Sequence, residues 1–262
     1  MARDEREAGA AAVAAFGVGG RPRGAHPFVL VHGAGADATR FARLLAEIPG
    51  AVALDLPGHG TAGGGPRASI GAYAAAVAAL LEREAYERPL LVGHSMGGAI
   101  ALTCALEGAV ELGGIGLLAS GARLRVHPDI LQSLAEGRLP PDLPARMFAA
   151  TAPPDAVAAE RAALAAAADS GLLFADMAAC DAFDVTGRLG ELRLPAAVVV
   201  GSEDRMTPPR LSERLIAGWG EPDAVEGTVV DGAGHYAHIE RPGAVARALL
   251  RLRGRVAGGG AP

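Results

Sequence analysis

Short apolar blocks alternate along this chain with longer mixed stretches. Phe28 to Val31, Ala51 to Leu54, Pro89 to Val92, Ile115 to Leu118, Pro195 to Val200 and Thr228 to Val230 are almost continuously apolar, and most lead into Gly, Asp, Ser or His. The segments between most of them are of helix length and rich in Ala, Leu and Arg. A short strand without a polar face needs cover on both sides, and intervening helices supply it. The pattern predicts an α/β fold: a mostly parallel central sheet with helices on both faces.

The rhythm breaks once. Between Gly121 and about Gly187 no strand-like block occurs, Pro140, Pro141, Pro144, Pro153 and Pro154 cluster, and helical stretches dominate. This predicts an inserted helical cap, or lid, over residues 121–187, with the core made of 1–120 and 188–262. A helix from about Pro242 to Arg253 should close the fold, followed by a fraying Gly/Ala-rich tail from Arg255 to Pro262. At the other end, Met1 to Ala25 offers only Val13 to Val18 as a possible strand.

Composition adds boundaries rather than detail. A chain of 262 residues suits one large α/β domain carrying an insertion. With 50% hydrophobic and 20% charged residues and a formal charge of −5, it has the balance of an ordinary soluble protein. It lacks the concentrated basic patch that nucleic acid or an anionic membrane would call for. All 24 basic residues are Arg, and Lys and Asn are absent, which reads as a bias toward GC-rich codons. Cys104 and Cys180 fit neither a disulfide framework nor a metal pair and are expected in the apolar core. The run Ala10 to Phe16 is too short and too weakly hydrophobic for a signal peptide, and no stretch of about 20 apolar residues offers a membrane span. The expectation is a soluble cytoplasmic protein, a monomer or a homodimer.

The chemistry lies in the loops. Leu90 to Val92 run into Gly93-His94-Ser95-Met96-Gly97-Gly98 and then a helical segment, Ala99 to Leu106. A Gly-x-Ser-x-Gly turn between strand and helix presents a nucleophile, and Gly93 and Gly97 remove side chains where such a turn packs closely. A serine hydroxyl is a poor nucleophile at neutral pH and needs a base, which in turn needs an orienting acid. Asp204 follows one late strand and His235 follows the next, and parallel strands bring those ends to one edge of the sheet. Glu203 and Asp231 are competing acids, and His94 and His238 competing bases. Asp204 is preferred because it lies deeper in its loop, before Met206-Thr207-Pro208. The His94 side chain is expected to point away from the site, and His238 to lie beyond the loop. An oxyanion needs two donors, expected from the backbone N–H groups of Met96 and of Ala34 in the Gly-rich run Val31 to Gly35.

From about Pro27 to Arg253 these residues resemble the α/β-hydrolase superfamily. The resemblance rests on His32-Gly33, Asp55-Leu56-Pro57-Gly58-His59-Gly60, the turn at Ser95, the acid loop at Asp204 and Gly234-His235, in that order. It implies an esterase- or lactonase-like enzyme with Ser95, Asp204 and His235 as triad, Ala34 and Met96 as oxyanion hole, and no cofactor or metal. Asp55 and His59 would be structural members of a loop near the pocket. Such enzymes usually open with a β-hairpin, for which Met1 to Ala25 offers little. Serine at the elbow argues against the haloalkane dehalogenases and epoxide hydrolases of the superfamily, which carry Asp there. Acyl transfer to water from a small-molecule ester, lactone or thioester is the expected chemistry. C–C bond hydrolysis or lyase action by the same triad, and a non-catalytic ligand-binding role, are the rivals. Met147, Phe148, Phe174, Met177 and Tyr236 are candidate walls for a small to medium apolar substrate. Arg123 and Arg125 could meet a substrate carboxylate, though a solvated surface is the better expectation.

Overall fold

The computed structural model describes residues 14–17 and 26–258. Among the described residues seven strands make one sheet: β1 (Ala14–Gly17), β2 (Phe28–Val31), β3 (Val52–Asp55), β4 (Leu90–His94), β5 (Gly114–Leu118), β6 (Ala196–Gly201) and β7 (Val225–Val230). Their order is β1-β3-β2-β4-β5-β6-β7. All neighbours pair in parallel except β1, which runs antiparallel along β3. The strand expected within Val13 to Val18 is therefore formed, over Ala14–Gly17. Residues 1–13, 18–25 and 259–262, which include the first part of the run Ala10 to Phe16 and the end of the tail, lie outside the described residues.

Successive side chains on a strand leave opposite faces of the sheet. Phe28 and Leu30 of β2 pack with Phe41, Leu44 and Leu249, while Val29 and Val31 pack with Tyr73, Val77 and Ile100. Both faces are buried, which is why the strand carries no polar position. Helices α1 (Ala42–Glu47) and α10 (Pro242–Gly258) cover one face, and α2 (Ile70–Arg83) and α3 (Met96–Glu107) the other. Each large apolar side chain buried this way contributes about 1.5–3 kcal/mol.

Two expectations need correction. β7 begins at Val225, earlier than Thr228, because this edge strand is only partly covered on both faces: Val229 is 61% exposed on one, and Glu226 meets Arg251 at 2.7 Å on the other. Its polar residues hid its start. The last helix continues to Gly258, so Arg255 to Gly258 are helical rather than frayed. Leu252 and Val256, four residues apart, are buried together, and Arg255 donates to the Ala196 carbonyl at 2.6 Å.

Between the neighbouring strands β5 and β6 lie α4 (Pro128–Ala135), α5 (Leu143–Met147), α6 (Pro154–Asp169) and α7 (Leu172–Asp181). The chain leaves and returns through a neck in which the Val185 N–H donates to the Ala122 carbonyl at 2.8 Å and the Val126 N–H to Asp181 Oδ1 at 3.0 Å. Gly171, at φ +77°, allows the 88° bend between α6 and α7. The short helices α8 (Pro209–Gly218) and α9 (Ala237–Glu240) follow β6 and β7. Among the described residues no single helix is long and apolar enough to cross a membrane.

Candidate active site

Parallel pairing puts the carboxyl ends of β2, β4, β5, β6 and β7 along one edge, and the candidate residues follow those ends. Ser95 sits at the junction of β4 and α3 with φ 52° and ψ −113°. For a residue with a side chain, a backbone in such a sparsely populated region costs about 1–3 kcal/mol. The surroundings hold it there. The Ser95 N–H donates to the Leu118 carbonyl at 2.9 Å, and the Ser95 carbonyl accepts from the Gly98 N–H at 2.9 Å and from Ser120 Oγ at 2.8 Å. A Cβ on Gly93 would collide with the Gly97 carbonyl, and one on Gly97 with the Val31 carbonyl, so only glycine closes the turn. Ser120 carries no sequence signal, being one serine after a strand.

His235 Nδ1 and Asp204 Oδ2 are 2.9 Å apart, both groups buried. Asp204 Oδ2 also accepts the Thr207 hydroxyl at 2.8 Å, and Oδ1 accepts the N–H groups of Met206 and Thr207, each at 2.8 Å. Burial works against the carboxylate, but the His235 charge and the hydrogen bonds from His235 and Thr207 hold Asp204 below its usual pKa. An ionised Asp204 favours the His235 tautomer that carries its proton on Nδ1. The competing acids are engaged elsewhere: Glu203 accepts from the Ala150 N–H at 3.3 Å, and Asp231 from Ser202 Oγ at 3.5 Å.

His94 departs from expectation. Its ring does not turn away but lines the same cavity as Ser95, 4.7 Å from the His235 ring, with Nε2 donating to the His235 carbonyl at 3.0 Å. Gly33 makes the room, since a Cβ there would lie 2.9 Å from His94 Nδ1. Burial and then the neighbouring His238 and His235 push the His94 pKa well below its usual value, so the ring is a neutral brace for the His235 backbone. His238 is buried against Phe41, His94 and Tyr236, and among the described residues neither ring nitrogen has a partner. Burial, with the charges of His235 and Arg40, lowers its pKa to about 3.

Ser95, His235, Gly33 and Ala34 open on one cavity. Among the described residues no hydrogen bond joins the Ser95 hydroxyl to the His235 ring, a contact that commonly tightens only when substrate is bound. The Met96 N–H opens α3, where first-turn donors lack helical acceptors. The Ala34 N–H shares a peptide plane with the Gly33 carbonyl, which the His32 ring grips through Nδ1 at 2.9 Å. Met147, Met177 and Tyr236 line the cavity. Phe148 and Phe174 do not: Phe148 is buried with its ring 5.0 Å from that of Tyr236, and Phe174 is 36% exposed. Arg123 and Arg125 line the mouth but are engaged, with Asp184 at 3.3 Å and Asp181 at 3.6 Å. Cys104 and Cys180 are free and buried, and Cys180 reaches the cavity wall.

The insertion grips the His235 loop in ways the motifs did not announce. The His235 N–H donates to the Met147 carbonyl at 2.8 Å. Glu240 accepts the Ala149 N–H at 3.1 Å and the Gly234 N–H at 3.0 Å. Gly234 is needed because a Cβ there would lie 2.6 Å from the Ala149 nitrogen. On α6, buried Glu160 accepts the Tyr236 hydroxyl at 2.6 Å and faces Arg40 Nε at 2.9 Å. Asp55 keeps its expected structural place, accepting from the Ala38 and Thr61 N–H groups at 2.8 Å each.

Comparison with known proteins agrees with this architecture. A family model described as "Alpha/beta hydrolase family" matches residues 28–248. A pimeloyl-[acyl-carrier protein] methyl ester esterase of Neisseria meningitidis serogroup C is 30% identical over 204 residues, covering 71% of this chain and 78% of the relative. Among solved structures, a thermophilic esterase superposes with a TM-score of 0.78 at 28% identity, covering 93% of this chain and 98% of the other. A thermophilic esterase from Thermogutta terrifontis, with malate bound, gives 0.78 at 25% identity, covering 94% and 93%.

Proposed function

We propose, from the premise that this chain belongs to the alpha/beta hydrolase family, that it hydrolyses a carboxylic ester of small to medium apolar acyl size through Ser95, His235 and Asp204. The observation that carries this reading is the buried His235–Asp204 pair opening on the same cavity as a strained Ser95. In the proposed cycle His235 Nε2 takes the Ser95 proton as Oγ bonds to the ester carbonyl carbon and the carbonyl π pair moves to oxygen. The N–H groups of Ala34 and Met96 receive that oxyanion, and Asp204 stabilises the imidazolium. Collapse breaks the bond to the leaving alcohol, which departs with the His235 proton. Water, activated by the same ring, then repeats the sequence and releases the acid.

The insertion over 121–187 acts in this reading as the cap that walls the acyl pocket with Met147 and Met177. Because Arg123 and Arg125 are engaged with acidic partners, the reading assigns them no selection for an anionic acyl group. The test is hydrolysis of p-nitrophenyl esters of graded chain length by wild type and Ser95→Ala. The variant should lose at least about 10³-fold in kcat. Equal activity of the two proteins overturns the mechanism.

A further inference from the structure

Of the buried carboxylates that the mechanism above leaves unused, Asp176 is the one that touches the loop of Ala34. Asp176 lies on α7, inside the insertion, and is fully buried. Its Oδ2 accepts the Gly35 N–H at 2.8 Å and His59 Nε2 at 2.7 Å, and its Oδ1 accepts the Tyr73 hydroxyl at 2.7 Å. A buried anion is tolerated only when such donors replace the water it has lost. Two donors are side chains, either of which could satisfy the carboxylate from many backbone positions. The third is different: Gly35 is the residue after Ala34, in the loop that supplies an oxyanion donor.

Within that loop the Ala36 N–H donates to the Gly33 carbonyl at 3.3 Å. Gly35 sits at φ +63°, a conformation side chains rarely adopt, and a Cβ there would lie 2.8 Å from Leu173 Cδ1, also on α7. The same helix thus fixes Gly35 twice, once by packing and once by Asp176. On the other flank the His32 ring holds the Gly33 carbonyl. The two peptide planes that meet at Ala34 are gripped at their outer ends, one by the core and one by the insertion. The Ala34 N–H lies in the first plane, and the two planes share the Ala34 Cα, so displacing the second moves the pivot of the first and carries the N–H away from where the oxyanion forms; an oxyanion donor acts only when preorganised.

We propose that Asp176 is a positioning residue of the oxyanion hole, by which the insertion fixes the direction of the Ala34 N–H through Gly35. His59 and Tyr73 hold the carboxylate in place, which gives His59, at the end of the Asp55 to Gly60 loop, a part in aligning the site. The proposal rests on the function proposed for Ser95 and adds that the insertion completes the catalytic apparatus as well as covering it.

The test compares Asp176→Ala, Asp176→Glu, Asp176→Asn and Glu160→Gln with wild type, using a p-nitrophenyl ester for kcat and KM, an alkylboronic acid for inhibition, and thermal unfolding. The boronic acid adds Ser95 Oγ to boron, passes the hydroxyl proton to His235, and places a boron oxygen where the oxyanion would sit. Asp176→Ala should lose about 10- to 100-fold in kcat, with KM changed less than about threefold, and lose boronate affinity by the same factor as kcat. Asp176→Asn should recover most of both, since its amide oxygen still accepts the Gly35 N–H. If Asp176→Ala fails to fold, Asp176→Glu decides, because it keeps the charge but displaces the acceptor, and it should show the same matched losses. Wild-type boronate affinity in a folded Asp176→Ala or Asp176→Glu overturns the proposal. So does an equal loss of boronate affinity in Glu160→Gln, which would trace the effect to general loosening of the insertion. An active Ser95→Ala sinks the underlying function instead, whereas an inactive Ser95→Ala beside an undisturbed Asp176→Ala sinks this proposal alone.

Discussion

At the sheet edge the site is set by backbone: strand ends fix where Ser95, Asp204 and His235 stand, and glycines at 93 and 97 let carbonyls approach where a Cβ would collide. Across the cavity, the insertion works through buried side chains, with Glu160 on Tyr236 and Asp176 on Gly35. The two halves should therefore fail differently. Damage at the sheet edge should remove chemistry and leave the fold, while in the insertion loss of Asp176 should cost alignment and loss of Glu160 should cost stability.

The largest expected effect is at the sheet edge. Asp204→Asn keeps the shape of the side chain but lets the His235 ring adopt the wrong tautomer, and kcat should fall about 10⁴-fold. Thermal unfolding should move by only a few degrees. A loss in kcat below tenfold would remove Asp204 from the proposed role. Next in size is Glu160→Ala, which leaves the Tyr236 hydroxyl and Arg40 without their partner. Breaking a buried ion pair costs about 3–5 kcal/mol, toward the lower end here because Arg40 still reaches water. At 2–4 °C per kcal/mol for a chain near this size, the midpoint should drop by about 6–12 °C. A shift under about 2 °C would show that the insertion is docked by other means.

These contrasts follow how much of the site could be read beforehand. The sheet-edge half was legible because its requirements are local: a Gly-x-Ser-x-Gly turn, an acid and a histidine after successive apolar blocks. The strands were legible where both faces are buried and blurred at β7, where both faces are partly open to water. Asp176 and Glu160 stand in Ala-rich helices as single acidic residues, like others that end up on the surface. Their partners Gly35, His59, Tyr73, Arg40 and Tyr236 lie between 76 and 141 residues away, so only the packed chain reveals the pairs. His94 was misplaced for a related reason, because the space its ring occupies is made by Gly33 on another strand's loop.

The histidines between the two halves give a third, smaller effect. Burial, aided by neighbouring charges, lowers His32 to about 4 and His238 to about 3, and takes His94 well below its usual value. Their folded pKa values lie below the unfolded value of about 6.5, so stability is full above that pH and falls as acid protonates the unfolded chain. His59 has the opposite sign: burial opposes its charge, but Asp176 raises its pKa. Its contribution is present below about 6.5 and fades as pH rises through its folded value. His238→Phe removes two unpartnered nitrogens, a gain of about 1–3 kcal/mol, and one of the acid-sensitive groups. The variant should unfold at a higher temperature than wild type at pH 8, by a margin that widens at pH 5. A margin that stays constant with pH would mean that His238 is protonated in the native state.

The smallest effect concerns specificity, and it separates two residues three positions apart on α7. Met177 lines the cavity, whereas Phe174 is 36% exposed and does not. If the insertion walls the acyl pocket, Met177→Ala should favour longer p-nitrophenyl esters by a few-fold in kcat/KM, since a methylene gained in an apolar pocket is worth about 1 kcal/mol or somewhat more. Phe174→Ala should leave the ratio of long to short esters within about twofold of wild type. Equal shifts in both variants would mean that chain length is read by the packing of α7 as a whole. A shift confined to Met177→Ala would place the acyl chain against the same helix that carries Asp176, so that one element measures the substrate and aligns the donor that meets its oxyanion.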